Sequence, residues 1–332
     1  MGESQLAGDT ASHAFAYANA TDTMIDIPNT FAALSHNGYQ LNSVLNLQNT
    51  MLGIGLNLGC DVFGDNNVCV TMGGSYTHSS DPTATTTATN LRIAYRFTSH
   101  LHAGLVLDQS LSNSMPSNYT VDNGQPLVGV FAAWSLTGND VGPAVRFSAA
   151  YSNQGTTIER TRLANTEAGQ GNSSFVGQGA QLEGAWGLAL NDRWTAQPFV
   201  GLRVSQVGRS GYSETNQVGF PIKYNTVNQN TTMGYLGVSL KGQPTEKIAL
   251  KVTLGVEQDL SSNIDDFSGS MYFFGSFNQQ APAIQQTRGF ASVGADLIID
   301  KNQRINISAL ANQQQLNNAK ALTGMVSYII GF

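Results

Sequence analysis

The sequence predicts an all-β transmembrane barrel of about twelve antiparallel strands, with an α-helix ahead of it that is long enough to lie in the lumen. Three observations predict it: few charges, long strands of period two, and connections that alternate between short and long. Only 11% of the 332 residues are charged, against about 25% in an ordinary soluble domain. Asn, Gln, Ser, Thr and Gly take the place of the missing charge. With 15 Phe, 11 Tyr and 3 Trp the chain is too aromatic for a disordered one. No run approaches the ~20 consecutive apolar residues of a membrane-spanning helix. The net charge of −6 argues against a basic nucleic-acid surface.

The strands show apolar residues at every second position. Ile248, Leu250, Val252, Leu254 and Val256 face away from Lys247, Lys251, Thr253 and Glu257. Leu91, Ile93, Tyr95 and Phe97 oppose Arg92, Ala94 and Arg96, and Trp194 to Val204 and Ala291 to Ile299 repeat the pattern. These runs reach about ten residues, the length a tilted strand needs to cross a bilayer and more than the usual five or six of globular sheets. The apolar face is therefore assigned to lipid and the polar face to a lumen. Short connections are expected at Thr98–His100, Thr137–Val141, Asn191–Arg193, Gly242–Glu246 and Asp300–Gln303. Long ones are centred near Asp81, Ser117, Glu167, Asn216, Phe274 and Gln315. Outer-membrane barrels have short periplasmic turns and longer external loops. Counting back from a last strand at Leu322–Phe332 gives twelve strands, the first at about Val68–Thr77, and places both barrel ends on the periplasmic side.

About 65 residues precede the wall. Pro28-Asn29-Thr30 reads as a helix start, with Asn29 or Thr30 as cap. Helical periodicity follows from Phe31, strongest over Tyr39–Leu52, and Asn37-Gly38 is a candidate break. A helix of ~14–20 residues is about 21–30 Å long, close to the height of a lumen. It either threads the pore or packs beneath it. The chain thus divides into residues 1–27, a helix and linker over 28–66, and a barrel over 67–332. Cys60 and Cys69 flank the turn-forming Gly64-Asp65-Asn66-Asn67, so a disulfide can close that loop in an oxidising compartment. Two Cys and five scattered His are too few for a metal site, and no cofactor motif is present.

In architecture and order of segments the chain resembles the translocator domain of classical autotransporters (type V secretion). The resemblance rests on Leu91–Phe97 with Leu101–Asp108, on Trp194–Glu214, and on Gly324–Phe332, which is similar to a terminal sorting strand. It implies a polar helix through a twelve-stranded barrel in the bacterial outer membrane, with an N-terminal passenger carried to the cell surface. Residues 1–27 are then a passenger remnant or linker, and the export signal lies ahead of the passenger. Implied partners are outer-membrane lipid, the barrel-assembly machinery and the passenger, with a monomer expected. Val326, Tyr328, Ile330 and Phe332 share one face of the last strand, an edge open to capture until the barrel closes.

The predicted lumen charges are Arg92, Arg96, Arg146, Glu183, Arg203, Lys247, Lys251, Glu257, Arg288 and Asp296, with Arg92, Arg96 and Arg203 expected on the helix. They either hold the helix or brace the wall. Some relatives cut the passenger off by cyclisation of a helix Asn, for which Asn37, Asn42, Asn46 and Asn49 lie in the right region, with Glu183, Glu257 and Asp296 as possible helpers. No cleavage motif is recognisable, and no catalytic constellation stands out; His78 with Ser79, Ser80 and Asp81 is the only local candidate. The expectation is a non-enzyme. The alternative class is a porin or substrate-specific channel, against which the helical segment argues.

Overall fold

The computed structural model describes residues 15–18, 23–137, 141–215, 218–272 and 274–332. Its wall is a closed antiparallel barrel of twelve strands: β1 Val68–Ser79, β2 Ala84–Arg96, β3 Leu101–Ser114, β4 Leu127–Ser135, β5 Gly142–Glu159 and β6 Gln170–Asn191. The circuit continues with β7 Trp194–Arg209, β8 Val227–Thr245, β9 Ile248–Ile264, β10 Thr287–Asp300, β11 Gln303–Gln313 and β12 Lys320–Gly331. Each strand pairs with its neighbours in sequence, and β12 closes on β1 from Ala321↔Ser79 to Gly331↔Cys69. Closure removes every unpaired edge, which is what lets a sheet stand in hydrocarbon.

Side-chain exposure is inverted relative to a soluble sandwich. Val200, Leu236 and Leu260 on the outer face are 62%, 62% and 63% exposed, while Thr71, Thr323 and Ser327 face inward and are buried. Trp134, Trp186 and Trp194 all lie near the short-turn end of their strands, as an interfacial girdle requires. Strand limits differ from expectation at one hairpin. β8 runs on to Thr245, so the turn is Glu246-Lys247 rather than Gly242–Glu246. Lys247 is therefore an exposed turn residue and not part of the lumen wall. Parts of the expected Thr137–Val141 turn and the loop centre at Asn216 lie outside the described residues, as does most of 1–27.

Helix α1, Ile27–Asn57, is 31 residues long and unbroken, about 46 Å. This is longer than expected and passes straight through Asn37-Gly38. The cap is Asp26, whose Oδ1 accepts the Asn29 amide at 3.0 Å, with Pro28 in the first turn. Ahead of it Phe15–Ala18 pairs antiparallel with Thr23–Asp26. The long loops fold inward as well as outward: Tyr212–Ser213, Ile222–Tyr224, Phe267–Met271 and Gly275–Gln279 form a four-stranded cap sheet over the long-loop end. The main apolar core lies here, inside the upper barrel. Leu34, Leu41, Val44 and Leu45 of α1 pack with Tyr119, Phe175, Ile222, Tyr224, Phe267 and Leu316. The upper lumen is thus filled by packed side chains, and a second, smaller apolar cluster of Ile54, Leu58, Val62, Phe131 and Ile329 lies at the short-turn end.

At the other end the linker is stitched to the closing seam. Cys60 and Cys69 form a disulfide, and the Phe332 carbonyl accepts the amides of Asn66 at 2.9 Å and Val68 at 3.3 Å. Gly64 lies so close that a Cβ there would sit 2.7 Å from the Phe332 carbonyl carbon. Asn67 takes the left-handed conformation that ends this turn, at φ 60°. Closing a loop of this size contributes about 2–3 kcal/mol by restricting the unfolded chain. Reducing the bridge, or the variant Cys60→Ser/Cys69→Ser, is expected to lower folding free energy by that amount in urea titrations in vesicles, with the barrel still forming.

Candidate functional site in the lumen

α1 carries no charged residue from Ile27 to Asn57, so everything that holds it is apolar packing or a hydrogen bond to an amide, hydroxyl or carbonyl. Leu, Val and Met fill its contacts while Asn and Gln reach the wall at successive levels. Asn37 is held four ways: its Oδ1 accepts from Asn118 Nδ2, Thr161 Oγ1 and the Thr161 amide, and its Nδ2 donates to the Glu159 carbonyl. Lower down, Asn46 Nδ2 donates to the Leu316 carbonyl at 2.9 Å and Gln48 Nε2 to Gln154 Oε1 at 2.8 Å. Asn49 Nδ2 reaches Gln315 Oε1 at 2.9 Å, and Thr50 Oγ1 donates to Gln314 Oε1 at 3.0 Å. Ser43 donates to the Pro82 carbonyl. Buried polar side chains without such partners would each cost about 1–3 kcal/mol, so the ladder fixes both the depth and the rotation of the helix.

The bottom of the helix is where charge enters. The last carbonyls of any helix lack intrahelical donors and carry the negative end of its dipole. Here Arg146 Nη2 donates to the carbonyls of Leu56 at 3.1 Å and Leu58 at 2.6 Å, and Arg92 Nη1 to that of Gly59 at 3.1 Å. Asn57 turns back onto the Gly53 carbonyl and accepts from Gln181 Nε2. Arg203 lies against the same turn, its Nη1 placed 3.5 Å from where a Gly53 Cβ would be, and its Nε donates to Gln181 Oε1 at 2.8 Å. Arg96 grips the linker, donating to Asn67 Oδ1 and stacking over Phe63. The helix contact expected of Arg92 and Arg96 is thus to the linker just beyond α1. The clamp on the helix end itself is Arg146.

Four of the remaining predicted charges, Glu183, Glu257, Arg288 and Asp296, brace the wall. Glu257 pairs with Arg203 at 3.3 Å and Arg288 at 3.5 Å, and Arg288 also grips Asp259 at 2.7 Å. Glu183 stands opposite Arg146 on the neighbouring strand and accepts from Tyr235 Oη. Asp296 pairs with Arg304 and Asn306. Lys251 faces Lys241 across β8 and β9 and opens to the lower lumen. Two charged sites in the cap were not anticipated. Arg160 and Glu214 form a buried pair at 3.2 Å, and Glu214 also accepts from the Ile222 amide and Tyr224 Oη. Burial pushes the Glu214 carboxyl up, against the pull of Arg160. Arg209 is fully buried among Tyr212, Tyr224 and Phe267.

The Asn candidates for cyclisation are all inside the unbroken helix, and the amide nitrogens of Asn37, Asn46 and Asn49 are spent on the wall. Among the described residues no group of three His, Cys, Asp or Glu could hold a metal ion. On the terminal strand Val326, Tyr328, Ile330 and Phe332 do share the outer face, with Tyr328 Oη donating to Gln303 Oε1 at 2.7 Å.

The direction of threading follows from the two helix ends. The Asp26 amide donates to Asn165, in the long connection between β5 and β6, and Asn29 Nδ2 to Ala164 beside it. The C-terminal end lies among Arg92, Arg96 and Phe332 at the short-turn side. A closed barrel that delivers the start of its own chain to the long-loop side through its own lumen is an outer-membrane secretion barrel. The Autotransporter beta-domain model matches residues 70–309, and the chain belongs to that family. A search of curated protein sequences returned no match. Solved structures that share the fold include three autotransporter domains. The translocator domain of autotransporter NalP from Neisseria meningitidis is 16% identical at a TM-score of 0.60, covering 94% of this chain and 100% of that one. The transport unit of AIDA-I from Escherichia coli is 12% identical at 0.55, covering 89% and 99%, and the beta domain of the Bordetella autotransporter BrkA 13% at 0.54, covering 80% and 100%. The protein is an outer-membrane translocator domain that carries an N-terminal passenger to the cell surface.

Arg146→Ala is expected to fray the last turn of α1 and to cost about 2–3 kcal/mol, the range for losing hydrogen bonds to a charged group. Hydrogen exchange at Gly55–Asn57 rises. Arg146→Lys keeps the charge but has a shorter reach and loses the planar group that lies over Phe131, and recovers only part of the protection.

Proposed function

We propose that the chain rests in the state that follows export, with α1 as a plug, residues 1–27 as passenger remnant or linker at the surface, and Arg146, Arg92 and Arg203 as the residues that hold the plug. The observation that carries this reading is the clamp on the helix end by Arg146, opposite an N-terminal cap seated among the long loops. In this reading the charges of Glu257, Arg288, Asp296 and Lys251 keep the lumen hydrated while the plug is absent. The unit works as a monomer, because twelve strands close on themselves and leave no edge to share. The barrel-assembly machinery takes hold of the β12 edge, with Val326, Tyr328, Ile330 and Phe332 on its lipid face.

The domain itself is no enzyme in this reading. A helical backbone keeps each Asn amide nitrogen away from the carbonyl it must attack, and of the acids expected to assist, Glu257 and Asp296 are tied to Arg203, Arg288 and Arg304, and Glu183 to Tyr235. A diffusive pore, the alternative class, fits poorly with a lumen whose upper half is filled by Leu41, Val44 and Leu45 against the wall and cap.

Single-channel conductance in a planar bilayer tests the plug. The intact chain is expected to be nearly closed, and a version lacking residues up to Leu52 to open a wide, steady pore. Equal conductance of the two from the start would place the helix outside the ion path and return the porin reading.

A further inference from the structure

A groove of about 950 Å³ crosses the outer face of the wall from β2 to β9. It follows the hydrogen-bond direction of the sheet, between two rows of outward side chains. One row begins apolar, with Leu91 opposite Leu107, then Val128 and Tyr151. It continues with amides: Gln178 opposite Tyr151, then Gln206, Asn230 and Asn263. The middle of the second row is Ala149 and Ala180, whose small side chains leave the floor open. Eight strands at about 4.8 Å spacing make the groove about 34 Å long.

Because the strands tilt, the groove climbs. Leu91 lies five residues from the short-turn end of β2 at Arg96, and Asn263 fifteen from that of β9 at Ile248. Its apolar end therefore starts low in the lipid-facing belt and its amide end reaches the external rim. Among the described residues no Asp, Glu, Lys or Arg lines it. Gln178 Nε2 and Gln206 Oε1 meet at 2.7 Å, which orients both amides on the surface.

We propose that this groove seats an acyl chain of an outer-leaflet glycolipid, whose sugar hydroxyls are received by Gln178, Gln206 and Asn230. The inference rests on the wall facing the outer membrane and goes beyond the secretion activity. An acyl chain suits the apolar stretch for the reason any apolar surface is buried. Amides both donate and accept, as hydroxyls do. A phosphate-directed site would instead present Arg or Lys.

The test uses the full chain in nanodiscs, checked for insertion by heat-modifiable gel mobility. Lipid A with a diazirine in one acyl chain is photolysed in the unmodified protein, and the labelled peptides are expected to contain Leu105–Val130 and Ala149–Tyr151. Competition then compares lipid A with phosphatidylethanolamine. Ala149→Trp with Ala180→Trp fills the groove and is expected to weaken lipid A retention roughly tenfold. Ala295→Trp, outward on β10, leaves it unchanged. Gln178→Leu with Gln206→Leu removes the preference for lipid A while the labelled peptides stay the same. Labelling spread evenly around the barrel overturns the site. Equal competition by phosphatidylethanolamine in the unmodified protein overturns the assignment of a sugar headgroup.

Discussion

The charge network inside this barrel is arranged around the carbonyls at the end of one helix. A helix with no charged side chain must still dispose of its terminal carbonyls and its dipole, and in a lumen neither lipid nor bulk water is at hand to do it reliably. Arg146 and Arg92 supply the donors. Their placement dictates the rest: Glu183 beside Arg146, Gln181 between Arg203 and Asn57, and Glu257 shared by Arg203 and Arg288. The network is an answer to one unsatisfied helix end, extended until its own charges are balanced.

The upper half solves a different problem with different means. Strands such as β6 and β8 continue beyond the lipid belt, where the outer face no longer meets hydrocarbon, and the inner face becomes the core of an ordinary folded domain. The helix joins the two regimes. Its upper turns are packed by Leu and Phe, its middle is tied by amides, and its lower end is clamped by guanidinium groups. That gradation reconciles a polar, uncharged helix that has to pass through a pore with one that has to stay there.

The wall was legible because lipid on one side and lumen on the other imposes period two on every strand, and the turn lengths carry the topology. Lys247 was misplaced because alternation continues through a tight turn and does not mark where the strand stops. The helix was read as too short for the opposite reason: residues from Gln40 to Leu56 are buried on nearly every side, so no apolar stripe stands out, and Gly38 looked like a break when it marks close packing against Phe267 and Gln279. Inward direction identified Arg146, but its contact with Leu56 and Leu58 depends on how deep the helix sits. Arg160, Glu214 and Arg209 lie where loop connections meet, and local sequence holds no record of such meetings.

The seam is also a load-transmitting joint. The linker below α1 is bonded to Cys69 through Cys60, lodged by Gly64 against Phe332, and hydrogen-bonded to the last carbonyl of the chain. A passenger anchored at the surface pulls on α1 along its axis, and that tension descends through the helix to the disulfide and into the first residues of β1. It arrives there roughly along the strand, so the ladder between β1 and β12 is sheared as a whole, with its many bonds strained together, instead of being peeled one bond at a time. The seam where the two ends of the sheet meet is in this way the point from which the tethered cargo hangs.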